Sequence, residues 1–498
     1  MITALPFISY LAAMLLLFIP SKQEKLLRGI AIGTTGLSLL ITLYLTQHFD
    51  RVLSGFQFVQ TWNCFNEMGI RYQVGLDGIN LVFCNLLAFV AFAASFVATK
   101  INTRLKEYLF YFLILVGSMF AVFTVLNVFF LYIFYEMTLI PIFAMMGLYR
   151  SASEPTTAQP ANGKLSLREA AALKFALYMT SGAVIGLFAL LSLYNILGPD
   201  FLDLTKTSSL LASHAALLTP EIQKWLAALL IVGFGIMTSL WPFHSWSPTA
   251  YASAPASLSM VHAGVKIGPY FLIRIAIAYL PIGFQFWAPT LATLAAIGVI
   301  YGGFAAMRQK NLNTMAAFSS ISHMGYVLLA FAAMNVTSLS AGILLIFAHG
   351  IMTACLFGLI GHLTSQTGND GIHHFGGLGK SLPFFAVGLM LTGMASAGIP
   401  GFANFPAELL VFISAWKNFP MAVICGVIGV LITAIYIIRA VQAICFGSES
   451  SGSKGLRDLT TLFDKAPFII LFIILIFFGI FPSSLLSIIQ PAVERILG

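Results

Sequence analysis

Long apolar segments recur along the whole chain and are separated by short polar stretches that hold most of the charges. A membrane-spanning helix needs about 20 mainly apolar residues. Fourteen segments approach that length, at about 2–20, 28–47, 79–99, 108–125, 127–148, 170–196, 222–241, 253–279, 285–306, 312–333, 338–363, 384–410, 419–446 and 466–487. The pattern predicts an all-α polytopic membrane protein with about 14 transmembrane helices.

Two of these segments, the seventh and the twelfth, are interrupted by proline and small polar residues. The interruptions are SLWPFHSWSPTA at 239–250 and AGIPGFANFPAE at 397–408. Membranes tolerate broken helices only where the freed backbone groups are buried in protein or line a hydrated cavity. Because the breaks fall at comparable places in two successive five-helix blocks, they predict two inverted five-helix repeats, as in many transporters.

The same pattern divides the chain into four regions. They are an N-terminal three-helix segment (1–107), a first repeat (108–280), a second repeat (281–446) and a C-terminal loop with the last helix (447–498). The loops at 48–78, 149–169, 197–221 and 364–383 could hold hairpins or short surface helices, but not a soluble catalytic domain. Any function therefore lies within the membrane or depends on partner chains.

Composition and charge support this interpretation. Hydrophobic residues make up 59% of the chain and charged residues 8%, with a mean hydropathy of +0.94, whereas soluble domains have about 25% charged residues. With the N-terminus outside, fifteen basic loop residues, including Arg150 and Lys164, fall on the cytoplasmic side and six on the opposite side. Cytoplasmic loops are enriched in basic residues, so we expect both termini outside the cytoplasm. The first apolar segment has no basic residues before it and is expected to be a retained helix rather than a signal peptide.

Motifs for metal, nucleotide or nucleic-acid binding are weak or missing. The five cysteines form no C-x-x-C pair, which argues against iron–sulfur or zinc sites. The stretch FGGLGKS at 375–381 resembles the end of a P-loop, but His374 occupies the position of its first glycine. We therefore expect no nucleotide binding, and no nucleic-acid binding from the basic loops.

A few ionisable residues remain inside the apolar segments. Glu136 lies in FLYIFYEMTLIPIF, and Lys266 and Glu408 lie in the eighth and twelfth segments, with His323 and His349 between them in sequence. Intramembrane ionisable residues usually mark an ion or proton path, and histidine titrates near neutral pH. A buried ion pair that fixes helix packing is the alternative for the carboxylates and the lysine.

Other polar residues are secondary candidates. His244 lies at the seventh-helix break, and His262 precedes Lys266 by one turn and either joins the path or only lines the same helix face. Lys174, Arg274 and Arg439 lie near helix ends, where long basic side chains usually extend to the membrane interface. No pair of histidines has i,i+4 spacing, so a metal site is not expected.

Several motifs together resemble the antiporter-like subunits of respiratory complex I, and most closely the subunit M type, which is equivalent to mitochondrial subunit 4. They are VGLDGINLVF (74–83), FYEMTLIP (134–141), LKFALYMTSG (173–182), PFHSWSPTAYASAP (242–255), AAFSSISHMGYVLLA (316–330), FAHGIMTACLFGLIGHL (347–363) and GIPGFANFPAELLVF (398–412). The resemblance implies a proton-translocating membrane-arm subunit of NADH:quinone oxidoreductase.

The resemblance also implies roles for individual residues. Glu136 would be the fifth-helix glutamate that pairs with a lysine, Lys266 the central lysine, His323 and His349 the link between two half-channels, and Glu408 the exit residue. His244, Lys174 and His262 would be accessory. It implies no cofactor in this chain, with flavin, iron–sulfur clusters and quinone in partner subunits. The expected partners are neighbouring antiporter-like subunits, other membrane-arm subunits and the lipid bilayer, in a bacterial inner membrane with both termini periplasmic.

Three positions depart from the family pattern. Met237 stands where the family usually has a seventh-helix lysine, residues 248–251 read PTAY instead of P-D-A-H, and residues 311–314 read NLNT instead of D-L-K-R. Glu136 thus lacks its expected partner. The alternatives are a subunit of a multi-subunit cation/proton antiporter, a subunit of a membrane-bound hydrogenase-type complex, or a membrane scaffold without transport.

Overall fold

The computed structural model describes residues 1–149, 165–214 and 216–498. Arg150 and Lys164, used above to predict orientation, lie outside the described residues. The described α-helices are α1 (Ala4–Phe18), α2 (Glu24–Gln47), α3 (Gly78–Ala98), α4 (Leu105–Thr124), α5 (Val128–Leu148), α6 (Leu167–Leu197), α7 (Thr207–Ser213), α8 (Pro220–Thr238), α9 (Trp246–Ser253), α10 (Ala256–Gly264), α11 (Ile267–Phe271), α12 (Pro281–Arg308), α13 (Leu312–Ala332), α14 (Val336–Thr367), α15 (Leu378–Ser381), α16 (Pro383–Ser396), α17 (Asn404–Ala415), α18 (Pro420–Cys445), α19 (Leu462–Ile480) and α20 (Ser483–Leu497).

The prediction of a polytopic helical membrane protein is confirmed. In the described part of the chain, 12 helical segments are long and apolar enough to cross a membrane, and α1, α16 and α17 are shorter apolar helices. The exact number of fourteen spans stays a prediction. The loop at 48–78 adds an antiparallel hairpin of β1 (Gln57–Phe65) and β2 (Ile70–Leu76) to the helices.

Local sequence signals set many of the helix ends. Proline occupies the first turn of α8, α12, α16 and α18, where its missing N–H removes no helical hydrogen bond. The Asp77 carboxylate caps α3 by accepting hydrogen bonds from the backbone N–H groups of Ile79 and Asn80. The Asn335 side chain caps α14 in the same way through Ser338, so these polar residues satisfy backbone groups that the helix leaves free.

Both predicted helix breaks are present. The seventh segment is divided between α8 and α9 by residues 239–245, and the twelfth is divided between α16 and α17 by residues 397–403. A third break was not predicted: the eighth segment stops at Gly264 and resumes at Ile267, so Lys266 lies in a non-helical connection. A π-helical stretch, Leu272–Ile277, completes this segment.

The prediction for the last helix was wrong at its C-terminal end. The expected single helix at 466–487 is two helices, because α19 ends at Ile480 and α20 begins at Ser483. Pro482 lies between them and cannot continue the hydrogen bonding of α19. The strongly amphipathic α20 packs against α3 and α14.

The core of the bundle forms around α14, whose apolar stretch is buried along its whole length. This helix packs against α3, α10, α13, α16, α17, α19 and α20. In contrast, α2, α5, α6, α18 and α19 each expose a row of large apolar side chains, as expected for surfaces in contact with lipid or neighbouring chains.

A buried ionic cluster connects the start of α3, the π-helical stretch of the eighth segment and α20. The Arg274 guanidinium donates to both Asp77 carboxylate oxygens, with Nη1 2.7 Å from Oδ2, and Arg495 Nη2 on α20 donates to Oδ2 at 2.8 Å. Arg274 is 3% exposed. The interpretation of Arg274 as an interface-seeking side chain is therefore wrong, because Asp77 holds it inside the protein.

Replacing Asp77 with asparagine is expected to lower the thermal stability of this subunit substantially. Asparagine caps helices as well as aspartate, so the change removes mainly the charge and leaves two arginines without their partner. Removing one partner of a buried ion pair costs about 3–5 kcal/mol. The control is Glu221→Gln, which breaks the exposed Lys224–Glu221 pair and should cost less than about 1 kcal/mol. Equal thermal unfolding midpoints for the two variants would contradict this account of the cluster.

Candidate functional site

Lys266 lies at the unpredicted break of the eighth segment and is only 3% exposed. Its Nζ donates a hydrogen bond to the Tyr251 hydroxyl at 2.5 Å and lies 4.7 Å from the centre of the Tyr251 ring. Within the described part of the chain, no carboxylate lies at ion-pair distance from Lys266. The lysine is therefore a buried amine that a neutral tyrosine holds, and it is not one half of an ion pair.

A small cavity of about 30 Å³ adjoins Lys266. A water molecule needs about 10–15 Å³, so the cavity has room for water beside the amine. His262 and Met237 also line it, and α5 contributes Tyr135 and Thr138. The secondary candidate His262 thus lies next to Lys266, although Phe175, Trp246 and Tyr251 surround its ring.

The α14 helix brings His349 close to Lys266. The backbones of α10 and α14 approach closely at Gly264 and Gly350, because a side chain at Gly264 would meet the Gly350 carbonyl at 3.0 Å. The His349 Nε2 lies 3.0 Å from the Ser320 hydroxyl and 3.2 Å from the Thr353 hydroxyl.

His349, His323 and Glu408 form a continuous series across three elements. The imidazoles of His349 and His323 stack with their centres 4.9 Å apart and their planes inclined by 24°. His323 Nε2 lies 3.8 Å from Glu408 Oε1, and both side chains are buried. The structure thus brings His349, His323 and Glu408 into contact, and Lys266 lies beside the point where α10 approaches α14. We call these four residues, four of the five main sequence candidates, the axial series.

The twelfth-helix break shapes the Glu408 end of the axial series. Gly398, in the break, has φ +64°, and a Cβ there would lie 2.5 Å from Glu408 Oε2. Several buried polar atoms at this end have no hydrogen-bond partner among the described residues, namely Glu408 Oε1, Ser396 Oγ, Tyr326 Oη and both side-chain polar atoms of Asn404. Buried polar atoms of this kind usually bind ordered water.

Glu136 does not join the axial series in this structure. The α5 residues that line the Lys266 cavity are Tyr135, Thr138, Leu139 and Ile142, whereas Glu136 lies on another side of the helix. There it is half-buried, in a row with the exposed residues Phe129, Ile133, Ile140 and Phe143. Within the described residues Glu136 makes no ion pair, and Tyr132 lies one turn before it on the same helix.

Lys174 and His244 lie together at the seventh-helix break. The Lys174 Nζ donates a hydrogen bond to the Ser245 carbonyl at 2.6 Å, and the Tyr178 hydroxyl lies 2.8 Å from the Ser245 hydroxyl. His244 packs edge-to-face against Tyr301. Lys174 thus satisfies a carbonyl oxygen that the break leaves free, and through Lys174 and Tyr178 the α6 helix holds the backbone at the break.

Sequence reasoning missed the neutral members of the site. Tyr251 was noted only as a departure from P-D-A-H, yet it is the hydrogen-bond partner of Lys266. Tyr436 was not identified, although its hydroxyl donates to Ser319 Oγ at 2.6 Å beside His323. The sequence SSISHMGYV did indicate the polar face of α13. For neutral residues on other helices, such as Tyr251 and Tyr436, nothing in the sequence indicates which residues they contact.

Replacing Tyr251 with phenylalanine is expected to slow transport at least about tenfold. The change keeps the ring over the Lys266 amine and removes only the hydroxyl, and a hydrogen bond to a charged group contributes about 1.5–3 kcal/mol. Tyr135→Phe is the matched control, since Tyr135 lines the same cavity but its hydroxyl has no hydrogen-bond partner within residues 1–149, 165–214 and 216–498. The rate of proton translocation by the assembled complex is measured for both variants. Identical rates would show that the Tyr251 hydroxyl is unimportant for transport.

Comparison with known proteins places this geometry in a family. Residues 125–433 match the family described as NADH:quinone oxidoreductase/Mrp antiporter, TM. The chain is 32% identical to NADH-ubiquinone oxidoreductase chain 4 of Chondrus crispus over 95% of this chain and 92% of that protein. It is 30% identical to NADH-quinone oxidoreductase subunit M of Rhodobacter capsulatus over 94% of this chain and 90% of that protein.

A solved structure agrees with these matches. A chain of respiratory complex I from Thermus thermophilus superposes with a TM-score of 0.86 and 27% identity, and the superposition covers 100% of both chains. The family match includes the whole axial series, from Lys266 to Glu408. The resemblance predicted from the motifs is thereby confirmed: the chain belongs to the NADH:quinone oxidoreductase/Mrp antiporter transmembrane family.

Proposed function

We propose that this chain is a proton-translocating membrane-arm subunit of an NADH:quinone oxidoreductase, of the subunit M type. The observation that carries the proposal is the axial series, in which Lys266, His349, His323 and Glu408 follow one another inside an otherwise apolar bundle. Ionisable groups at this depth are expensive and are usually retained for ion transfer.

Protons would move along the axial series by short steps. Lys266 has space for water beside it, His349 and His323 are in stacking contact, and His323 lies within one water-mediated step of Glu408. The unpartnered atoms around Ser396 and Asn404 suit water that continues the series beyond Glu408. Each group can accept a proton from one neighbour and donate it to the next.

The first half of the bundle is proposed to work differently from the family pattern. Met237 lines the Lys266 cavity where a lysine is usual, and Glu136 lies on the half-exposed face of α5. We infer that Glu136 responds to groups of a neighbouring subunit rather than to a lysine of its own chain. Lys174, His244 and His262 remain accessory candidates at the seventh-helix break and the cavity.

The energy for transport would come from partner subunits. The expected partners are neighbouring antiporter-like subunits and other membrane-arm subunits. Flavin, iron–sulfur clusters and quinone would reside in partners, and their redox chemistry would act on this chain through conformational and electrostatic change. In the described residues, no group of three or more His, Cys, Asp or Glu side chains could hold a metal ion.

Packing also supports the proposed repeats at 108–280 and 281–446, which leave 1–107 and 447–498 as flanking regions. In the first repeat α6 contacts both parts of the broken helix, α8 and α9, and in the second α14 contacts both α16 and α17. Loops predicted on the same side meet: Lys100 pairs with Asp464 at 2.9 Å. This pairing supports the predicted alternation of loops, and the excess of basic residues in the loops on that side supports a bacterial inner-membrane orientation with both termini periplasmic.

Purification of the tagged chain from its native membrane tests the proposal. We expect flavin- and iron–sulfur-containing subunits to co-purify, and proteoliposomes of the complex to translocate protons when NADH reduces quinone. Co-purification with small membrane subunits alone, with cation/proton exchange and no NADH oxidation, would assign the chain to an antiporter instead. Hydrogenase subunits in place of NADH-oxidising subunits would also overturn the proposal.

A further inference from the structure

A second polar pocket lies away from the axial series, at the end of the bundle that carries the β-hairpin, α7 and α20. Its volume is about 50 Å³. It is bounded by α20, by the segment that leads into α7 and by the π-helical stretch of the eighth segment. The polar and aromatic residues that line it are Phe56, Thr205, Thr207, Ser208, Arg274 and Arg495.

Two guanidinium groups converge in this pocket. Arg274 and Arg495 share the single carboxylate of Asp77. The Phe56 ring lies against both, with its centre 4.2 Å from Arg495 Cζ and 5.5 Å from Arg274 Cζ. Burial lowers the pKa of Arg495 and the neighbouring Arg274 adds to this, whereas Asp77 opposes it. One carboxylate therefore faces two positive charges.

Other charged groups nearby do not neutralise the pocket. Asp203 does not line the pocket, and its Oδ1 accepts hydrogen bonds from the Thr205 N–H at 2.9 Å and the Thr205 hydroxyl at 2.6 Å. Lys206 pairs with Asp200 at 2.7 Å. Glu494 is exposed and forms no ion pair in the described part of the chain. The pocket thus keeps an excess of positive charge.

Donors without partners are also present. Arg274 is 3% exposed, and its buried Nε has no hydrogen-bond partner in the part of the chain that the structure describes. The Ser208 side chain is exposed and has no side-chain hydrogen bond among the described residues. Arginine's planar set of donors suits oxyanions with several acceptor oxygens, above all phosphate. The pocket is several times larger than the space that one water molecule needs.

We propose that this pocket binds an oxyanion of the phosphate type, held by Arg274 and Arg495 with Ser208 at its entrance. A phospholipid phosphodiester and free inorganic phosphate offer the same recognition chemistry. In either case the anion would balance the second arginine and would fix α20 against α3 through Asp77. This site is separate from proton transfer, because no residue of the axial series lines the pocket.

Electron cryomicroscopy of the assembled complex tests this site in two preparations. One keeps native phospholipid and contains no phosphate; the other is delipidated and contains added inorganic phosphate. Density between the two guanidinium groups that continues into acyl chains would identify phospholipid, whereas compact density only with added phosphate would identify the free anion.

Two exposed serines provide matched variants. Ser208→Glu places a carboxylate at the pocket entrance and is expected to abolish the density in both preparations. Ser209→Glu adds the same charge at the next residue, which does not line the pocket, and should retain it. Lack of density in both wild-type preparations, or density that persists in Ser208→Glu, would overturn the proposal and leave the arginines as a structural clamp only.

Discussion

Replacing Lys266 with methionine is expected to reduce proton translocation by the assembled complex at least about tenfold, since a positioned proton-transfer group typically contributes 10²–10⁴-fold. Methionine nearly matches the length of lysine and packs well in apolar surroundings, so the 3% exposed site should keep its shape. What is lost is the buried amine that donates to the Tyr251 hydroxyl, close to the approach of α10 to α14 at Gly264 and Gly350. Proton uptake by proteoliposomes during quinone reduction measures the effect.

The control for this substitution is Lys224→Met. Lys224 pairs with Glu221 near the surface and lies outside the axial series, so the change should leave transport at the wild-type rate. Reduction of an artificial electron acceptor by NADH checks that both complexes are assembled. Wild-type proton uptake in the Lys266→Met complex would remove Lys266 from the path.

Replacing Glu408 with glutamine is expected to cause a loss of similar size. Glutamine has nearly the same shape as glutamate, so the close approach of Gly398 is tolerated, but the amide cannot accept and release a proton near neutral pH. His323, 3.8 Å from Glu408, then has no titratable group to which it can pass a proton. The measurement is again proton uptake, normalised to electron transfer to the artificial acceptor.

Glu494→Gln serves as the matched control for Glu408→Gln. Glu494 is exposed on α20, and its neutralisation should change neither transport nor assembly. If Glu408→Gln pumped as well as Glu494→Gln, Glu408 would be only a buried packing residue. The alternative of a scaffold without transport would gain support if Lys266→Met also pumped normally.

Much of the fold could be predicted because the length of an apolar segment and the position of its prolines determine local helix structure. The breaks at 239–245 and 397–403 were predicted from prolines and small polar residues, and the structure contains both. The break at Lys266 was missed because its sequence, HAGVKIGP (262–269), contains two glycines and Pro269 but no small polar residues like those at the other two breaks. The end of α19 was missed because the apolar residues of α20 continue the same hydrophobic run across Pro482.

The ionisable residues of the site could be predicted from the sequence. Its neutral residues, and the pairs between residues far apart in the chain, could not. Lys266, His323, His349 and Glu408 could be found because charge is rare in membrane segments. Tyr251 gave no such signal. The partnership of Asp77 with Arg274 and Arg495 joins residues 197 and 418 positions apart, and it depends on how the helices pack. Glu136 lies away from the Lys266 cavity because of the way α5 is rotated against its neighbours. The sequence of α5 alone does not reveal that rotation.

The central claim is that Lys266, His349, His323 and Glu408 act in series along one path, and a double-variant comparison tests it most directly. Proton uptake per electron transferred is measured for Lys266→Met, Glu408→Gln and the double variant. Residues that act as one unit are strongly non-additive, so a single path predicts that the double variant is no slower than the slower single variant. A double-variant rate equal to the product of the two residual rates, each expressed as a fraction of the wild-type rate, would contradict the account, because the two residues would then contribute independently and not as one unit.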